Sequence, residues 1–238
     1  MKTFLLLAAA LVISAALIGC APGLSENPLA SQPAAGPSGT SKPQDLVVLE
    51  SGYYVNESEN LDYGVGVKNL NADYAASGYT VTVIGRNTEG EHLFTSREEM
   101  GCILPGEIQY FGGNAGRGIK PDTVEFTLTV EEDGWKKTSG VVREFFSLDE
   151  IEVVPFASPL YSKPHTEFTG KVTLISELEE SRQNGARVSL ILRDADSSII
   201  YGRVVHISDM AIGKAKEFRI SDNGVVEFAE YELHSIPW

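Results

Sequence analysis

The stretch that decides the fold is YTVTVIGRNTEGEHLFTSR, residues Tyr79–Arg97. Apolar and polar side chains alternate along it, and Asn87-Thr88-Glu89-Gly90 interrupt the alternation near its middle. A period of two indicates strands with one buried face, and a short connection that contains Asn and Gly indicates a hairpin. We therefore expect two antiparallel strands here, joined by a turn at Asn87–Gly90.

The same pattern occurs a second time, 107 residues further along the chain. Identical residues then coincide at turn and apolar positions: Gly78 with Gly185, Val81 with Val188, Ile84 with Ile191, Arg86 with Arg193, Gly106 with Gly213 and Phe111 with Phe218. Before this region an offset of about 104 aligns Gly66 with Gly170, and after it a VEF triplet at Val124 recurs at Val226. Because the identities lie on apolar and turn positions, they predict a duplicated domain.

From Asp45 onward, β-branched and aromatic runs alternate with Gly- or Asn-rich turns, and no segment has an apolar stripe of helical period over a dozen residues. Each copy has about 100 residues, the size of an immunoglobulin-like sandwich of about seven short strands. We therefore predict an all-β chain with two tandem immunoglobulin-like antiparallel β-sandwich domains, residues 45–146 and 147–238. The polar segment Ser176–Gly185 is expected to form a loop or one helical turn, and Glu131–Gly140 a hairpin tip or a linker.

Three elements recur in both copies: a strand with a small G-x-V-type segment, a strand ending in an Asn or Asp turn, and a segment leading to a Phe. They are GVGVKN, VTVIGRNTEGEHL and LPGEIQYF in the first copy, and TGKVTLI, VSLILRDADSSII and AIGKAKEF in the second. In this they resemble the FxLYD family of immunoglobulin-like domains of bacterial lipoproteins and secreted proteins. The second copy departs from the pattern, with Ile212-Gly213-Lys214 in place of Pro105-Gly106-Glu107. The resemblance implies a fold and an extracellular setting, and no catalytic residue.

A basic start at Lys2 and an apolar run from Phe4 to Ile18 are typical of a secretory signal and too short for a membrane span. The run ends in LIGC, Leu17–Cys20, which resembles the lipobox of bacterial lipoproteins. The resemblance implies signal cleavage after residue 19 and a diacylglycerol thioether on Cys20, which would hold the chain on the extracytoplasmic side of the cell membrane. The alternative is an ordinary secreted protein, cut nearby, in which Cys20 is incidental.

Residues 20–44 then follow as a segment rich in Pro, Gly, Ser and Ala. Such a segment buries too little apolar surface to offset the entropy of ordering it, so we predict a disordered tether. Since Cys20 would carry the lipid and Cys102 is the only other cysteine, an intrachain disulfide and a cysteine-rich zinc site are both excluded.

The chain is acidic, with a net charge of −14, which becomes −15 once Lys2 is removed with the signal. Neutralising phosphates requires clustered Lys and Arg, so nucleic-acid binding is not expected. The acidity is typical of a protein kept soluble outside the cell.

Three motifs are candidates for sites of chemistry. Asp194–Ser198 resembles the start of a calcium loop but lacks its central Gly and its final Glu, so a plain hairpin turn is expected. GGNAGRG, Gly112–Gly118, lacks the Lys-Ser/Thr of a phosphate cradle and is expected to be a flexible loop. Cys102 and His92 could form a nucleophile and base on or near adjacent strands, although no group that would orient the histidine is evident.

No catalytic, metal-binding or cofactor-binding residue is therefore predicted, and Cys20 is the one predicted modification site. The expected function is a non-catalytic binding or scaffolding module at the bacterial envelope, with an envelope protein or wall component as partner, recruited in one hypothesis by strand addition. A divergent envelope enzyme or metal-binding protein is the alternative. Aromatic residues beyond the evident needs of two cores fit a binding surface, or the contact between the domains: Tyr53, Tyr54, Trp135, Phe145, Phe146 and Trp238.

Overall fold

The computed structural model describes residues 42–140, 144–156, 165–177, 185–222 and 227–238. The predicted signal peptide, Cys20 and most of the predicted tether lie outside these ranges. Within them the chain is built from β-strands and one short 3₁₀ turn, and no helix there is long and apolar enough to cross a membrane. The all-β prediction is confirmed.

Eight strands form the first half of Lys42–Trp238, which is one compact unit. They are β1 Val47–Val55, β2 Leu61–Lys68, β3 Tyr74–Ala76, β4 Tyr79–Arg86, β5 His92–Met100, β6 Ile108–Ala115, β7 Thr123–Thr129 and β8 Trp135–Lys137. Two antiparallel sheets, in the orders β1-β2-β6 and β5-β4-β7, enclose the first core, and β3 pairs with β8. The predicted hairpin tip or linker Glu131–Gly140 contains the 3₁₀ turn Glu132–Gly134 and β8, which the sequence pattern did not predict, as it did not predict β3.

Six strands form the second half. They are β9 Phe146–Phe156, β10 His165–Leu174, β11 Ala186–Arg193, β12 Ile199–Ile207, β13 Ala215–Ser221 and β14 Glu230–Pro237. They make antiparallel sheets in the orders β13-β10-β9 and β12-β11-β14, which enclose the second core. The predicted loop Ser176–Gly185 lies mostly outside the described residues.

The pairing order of the first half recurs in the second, and the register confirms the offset of 107. Pairs of β4 with β5 and of β11 with β12 are offset by 107 residues throughout, including a register shift before Arg86 and again before Arg193. The alignment of Gly66 with Gly170 is wrong: Val65 pairs with Phe111, and the equivalent Phe218 pairs with Gly170, so Gly170 is equivalent to Val65. The VEF alignment is wrong: Val124 pairs with Gly85, whose equivalent Leu192 pairs with Tyr231. Tyr231, not Val226, therefore occupies the equivalent position, and β14 begins only at Glu230.

The predicted turns are present in both copies. Asn87 Oδ1 accepts hydrogen bonds from the backbone N–H groups of Glu89 and Glu91, and Asp194 Oδ1 accepts them from Asp196 and Ser198 at 2.9–3.0 Å. The Glu107 N–H donates a hydrogen bond to Leu104 O at 3.1 Å, which closes a turn around Pro105 and Gly106. Gly106 has φ +72°, as the third position of a type II turn requires. The equivalent Gly213 has φ +71°.

The four larger sheets stack in four layers, because β1-β2-β6 lies directly against β12-β11-β14. Glycines make this contact possible. Gly52, Gly64 and Gly112 are cross-strand neighbours and form a row on the first sheet. A Cβ on Gly202 of the facing sheet would lie 2.5 Å from Tyr63 O and 2.6 Å from Gly64 Cα, so only hydrogen fits between the two backbones.

The burial patterns of equivalent strands show the same contact. In the first half β4 alternates buried and half-buried residues, whereas its equivalent β11 is buried throughout. The reverse holds for β2, buried over seven residues, and β10, which mostly alternates. One sheet of each copy is therefore covered on both faces, and it is a different sheet in each copy.

We predict that Gly202→Ala destabilises the protein by about 1–3 kcal/mol, because the added methyl group would press on the backbone of Tyr63 and Gly64. Chemical denaturation gives the free energy of unfolding. Gly78→Ala is the matched control, since its Cβ would meet Met100 O at 3.6 Å, an ordinary contact. Equal free energies for the two variants would contradict the close backbone contact.

Phe218→Ala is expected to cost about 3–5 kcal/mol, since the predicted inward orientation is confirmed: Phe218 is 4% exposed and packs in the second core. Phe156→Ala is the control at a ring that is 39% exposed, and it should cost distinctly less. A denaturation midpoint that Phe218→Ala leaves unchanged would refute the placement of this ring.

Candidate functional site

The predicted lipid site, Cys20, lies outside the described residues. Of the candidates for chemistry, Asp194 is a turn residue: its carboxylate caps two backbone N–H groups, as the uncharged amide of Asn87 does in the first copy. Among the residues that the structure describes, no group of three or more His, Cys, Asp or Glu side chains could hold a metal ion.

The glycine-rich segment Gly112–Gly118 is not the predicted flexible loop over its whole length. Gly112–Ala115 belong to β6, and three of these four residues are buried. A side chain on Gly112 would overlap the backbone of Arg203, and one on Gly113 would overlap the ring of Tyr63. The glycines are needed where backbone and ring approach the strand, so a glycine count alone could not distinguish them from a loop.

Cys102 and His92 are not brought together. His92 begins β5, and Cys102 follows the end of the same strand, so about 30 Å of extended chain separates them. His92 Nε2 instead contacts Thr95 Oγ1 at 2.7 Å. The structure therefore contradicts their placement on adjacent strands and the nucleophile–base pair.

Most of the singled-out aromatic residues are core residues. Tyr53 and Trp135 pack against the first core, Tyr54 and Phe145 against the second, and Phe146 is itself buried there. Trp238 differs: it is 43% exposed and its ring lies 4.5 Å from that of His206.

A cluster of charges that sequence reasoning missed joins the two halves. Arg193, at the end of β11, is 8% exposed and forms a bidentate pair with Glu50 of β1, with Nη1–Oε2 2.7 Å and Nη2–Oε1 2.8 Å. Its Nε donates to Glu232 Oε1 at 2.6 Å. Tyr110 donates to Glu50 at 2.8 Å, and His234 Nε2 lies 2.8 Å from Glu232.

The hydrogen bonds fix the charges in this cluster. Those from Arg193 hold the pKa of Glu50 below its ordinary value against the effect of burial. Burial raises the pKa of Glu232, but hydrogen bonds from Arg193 and His234 outweigh it, so this pKa is also lowered. Burial and the bond to Glu50 raise the pKa of Tyr110, so its hydroxyl stays protonated as a donor.

A second buried arginine crosses the same contact. Arg187 of β11, 2% exposed at its side chain, forms an ion pair with Glu98 of β5 and donates to Gly112 O at 3.2 Å. Tyr63 donates to the other oxygen of Glu98 at 2.8 Å, and burial raises the pKa of Tyr63. Burial, followed by the charge of Arg187, lowers the pKa of His206. The available signal was a charged residue inside the largely apolar strand ARVSLILR.

An open groove of about 740 Å³ lies where the two halves meet. Three runs of consecutive residues form most of its walls: 107–110, 144–148 and 233–237. A second depression of about 700 Å³ shares Cys102, Leu104, Ile236 and Pro237 with it and extends it to Trp238. We call the two together the junction groove. Both copies contribute residues to this concave surface.

Comparisons with known proteins find matches among solved structures only. The sequence matches no protein-family model and no curated protein. Among solved structures, the N-terminal CBM22-1-CBM22-2 tandem domain of Paenibacillus barcinonensis Xyn10C is 8% identical over 84% of this chain and 92% of that chain, with a TM-score of 0.20.

Arg193 and Arg86 occupy the same position of the repeat and offer a matched pair. Arg86 pairs with Glu125 at 3.7 Å on the surface, and Glu125 is equivalent to Glu232. We predict that Arg193→Ala costs about 2–3 kcal/mol, because it leaves Glu50 and Glu232 without their shared cation, whereas Arg86→Ala costs about 0.5 kcal/mol or less. Urea denaturation measures both, and similar costs would contradict the role assigned to Arg193.

Proposed function

We propose that the protein is a bacterial lipoprotein, held by Cys20 on the extracytoplasmic face of the cell membrane, and that Lys42–Trp238 act as a non-catalytic binding or scaffolding module for an envelope protein or wall component. The lipobox-like LIGC and the signal-like segment before it support the anchor. The acidic charge of the chain supports a protein partner over a nucleic acid.

The observation that carries the binding role is the junction groove. Its walls come from both copies, and the glycine row and two buried arginines hold those copies in one arrangement. A groove with preformed walls loses little conformational entropy when a partner binds, which favours recognition. Its wall also carries Trp238, a partly exposed residue of the kind enriched at binding hot spots.

The non-catalytic part of the proposal rests on where the perturbed ionisable groups are used. Glu50, Glu232 and Arg193 have shifted pKa values because they bond one another across the contact between the sheets. Perturbed groups in an enzyme would instead converge on a substrate. Here their positions support a role in fixing the two copies.

The two halves are further proposed to be tandem FxLYD-like domains. The same pairing order in each half, the repeated Asx turns and the turn at Gly106 and Gly213 support this. The Glu of the PGE element has a structural role, because the Glu107 carboxylate accepts a hydrogen bond from the Leu104 N–H at 2.6 Å and so stabilises the turn.

The anchor is tested by replacing each cysteine in turn. Cys20→Ala is expected to move the protein from the membrane pellet to the soluble fraction and to abolish incorporation of labelled palmitate, because the thioether cannot form. Cys102→Ala is the control and should remain in the membrane with its label. If Cys20→Ala stays labelled and sediments with membranes, the lipoprotein proposal is wrong.

The binding role is tested by photo-crosslinking in cells. A benzoylphenylalanine at Trp238, the residue after β14, places the probe in the junction groove. One at Tyr231, within β14, places it outside the groove at similar exposure, 41% against 43%. A reproducible neighbour captured from position 238 and not from 231 is expected. Equal capture at both positions, or none at either, would contradict recognition by the groove.

A further inference from the structure

The wall of the junction groove at β14 is the edge of a sheet, not a face. Leu233 to Pro237 all line the groove, one after another. Successive side chains of a strand point to opposite faces, so a cavity against one face is lined by every second residue. Five consecutive lining residues therefore place the main-chain edge of β14 against the groove.

Two more terminal strands meet the groove in the same way. Ile108, Gln109 and Tyr110 line it consecutively at the start of β6, and Phe146, Ser147 and Leu148 do so at the start of β9. In the sheet orders β1-β2-β6, β13-β10-β9 and β12-β11-β14, each of these strands comes last. Three sheet edges therefore surround one open space.

The pairing order shows that this space lies where an immunoglobulin sandwich has a further strand. In immunoglobulin sandwiches a further strand, G, lies beside strand F. β14 has the position of F, since it pairs with the central β11 on the side opposite β12. Within the part of the chain that the structure describes, β14 pairs with β11 alone, and the groove occupies the place beside it.

The lining also selects the kind of strand that fits. Glu107, Glu144 and Glu177 contribute carboxylates to the groove of about 740 Å³, and none of its described lining residues is Lys or Arg. The adjoining depression also contains Glu99, Lys136 and Arg187, and Arg187 is paired with Glu98. Leu104, Phe145 and Ile236 add apolar surface. Alternating basic and apolar side chains on an extended peptide would meet both kinds of surface, since its side chains alternate between two directions.

We propose that the part of the junction groove of about 740 Å³ binds an extended, basic peptide strand of a partner protein, which adds to the sheet beside β14. This proposal rests on the proposed binding function and names the chemistry of its partner. Main-chain hydrogen bonds to β14 give the affinity, and the carboxylates and apolar residues select the sequence.

The probe is an eight-residue peptide of alternating lysine and valine, as long as β14. Hydrogen–deuterium exchange is measured on the full, lipid-anchored chain in non-ionic detergent, at about ten times the peptide's Kd. Amides of β14 are expected to exchange about tenfold more slowly with peptide. β7, equivalent to β14 and also terminal in its sheet, is the internal control and should not change.

Two matched peptides separate strand addition from attraction between charges. The same peptide with alternate N-methyl groups keeps its charge but loses half its donors, and it should give no protection of β14. A glutamate–valine peptide should not bind the acidic groove. Protection of β7 equal to that of β14, protection by the N-methylated peptide, or no protection by the lysine–valine peptide would each overturn the proposal. None of these results bears on the lipid anchor or on photo-crosslinking at Trp238, so the two proposals fail separately.

Discussion

The close contact of β1-β2-β6 with β12-β11-β14 is the constraint on which the rest of the structure depends. Stacked sheets ordinarily lie about 10 Å apart with side chains between them. Here Gly52, Gly64 and Gly112 form a row without side chains, and Gly202 faces it on the other sheet. Because close-packed backbones tolerate little displacement, this contact fixes one arrangement of the two copies. The buried arginines and the junction groove owe their positions to it.

Covering the sheet β12-β11-β14 removes the charges of Arg193 and Arg187 from water. Removing a charge from water is unfavourable, and attraction to a partner offsets this only when the geometry is good. Arg193 meets that condition with two carboxylates, and Arg187 with Glu98, a main-chain carbonyl and the Sδ of Met100 at 3.3 Å. Arg86, the repeat equivalent of Arg193, forms the corresponding ion pair with Glu125 on a sheet that is not covered. The second copy therefore keeps a surface ion pair and adds Glu50 from the first copy to it.

The sequence predicted the local structure well, because alternation, turn residues and a repeat report on neighbours along the chain. The hairpins, the Asx turns and the inward Phe218 follow from such patterns. The contact between copies does not, since Gly112 looks like a loop residue until the backbone of Arg203 is placed beside it. One signal was present: β4 alternates Thr80 and Thr82 with apolar residues, whereas β11 is apolar between its two arginines except at Ser189. Such a run indicates a strand covered on both faces. The short strands β3 and β8 carry too few residues for a period to be visible.

The contact between the two copies is asymmetric. The first copy contributes β1-β2-β6 and the second β12-β11-β14, so the packing is head-to-tail and could in principle continue. The two outer sheets carry half-buried polar residues such as Thr80, Thr82 and Lys171 where the inner ones are fully buried. The two terminal F-type strands then differ in their surroundings. β14 has β6 of the other copy across the groove, whereas among the elements that the structure describes β7 has no equivalent neighbour from the second copy. Duplication has therefore produced a surface that neither copy would have alone.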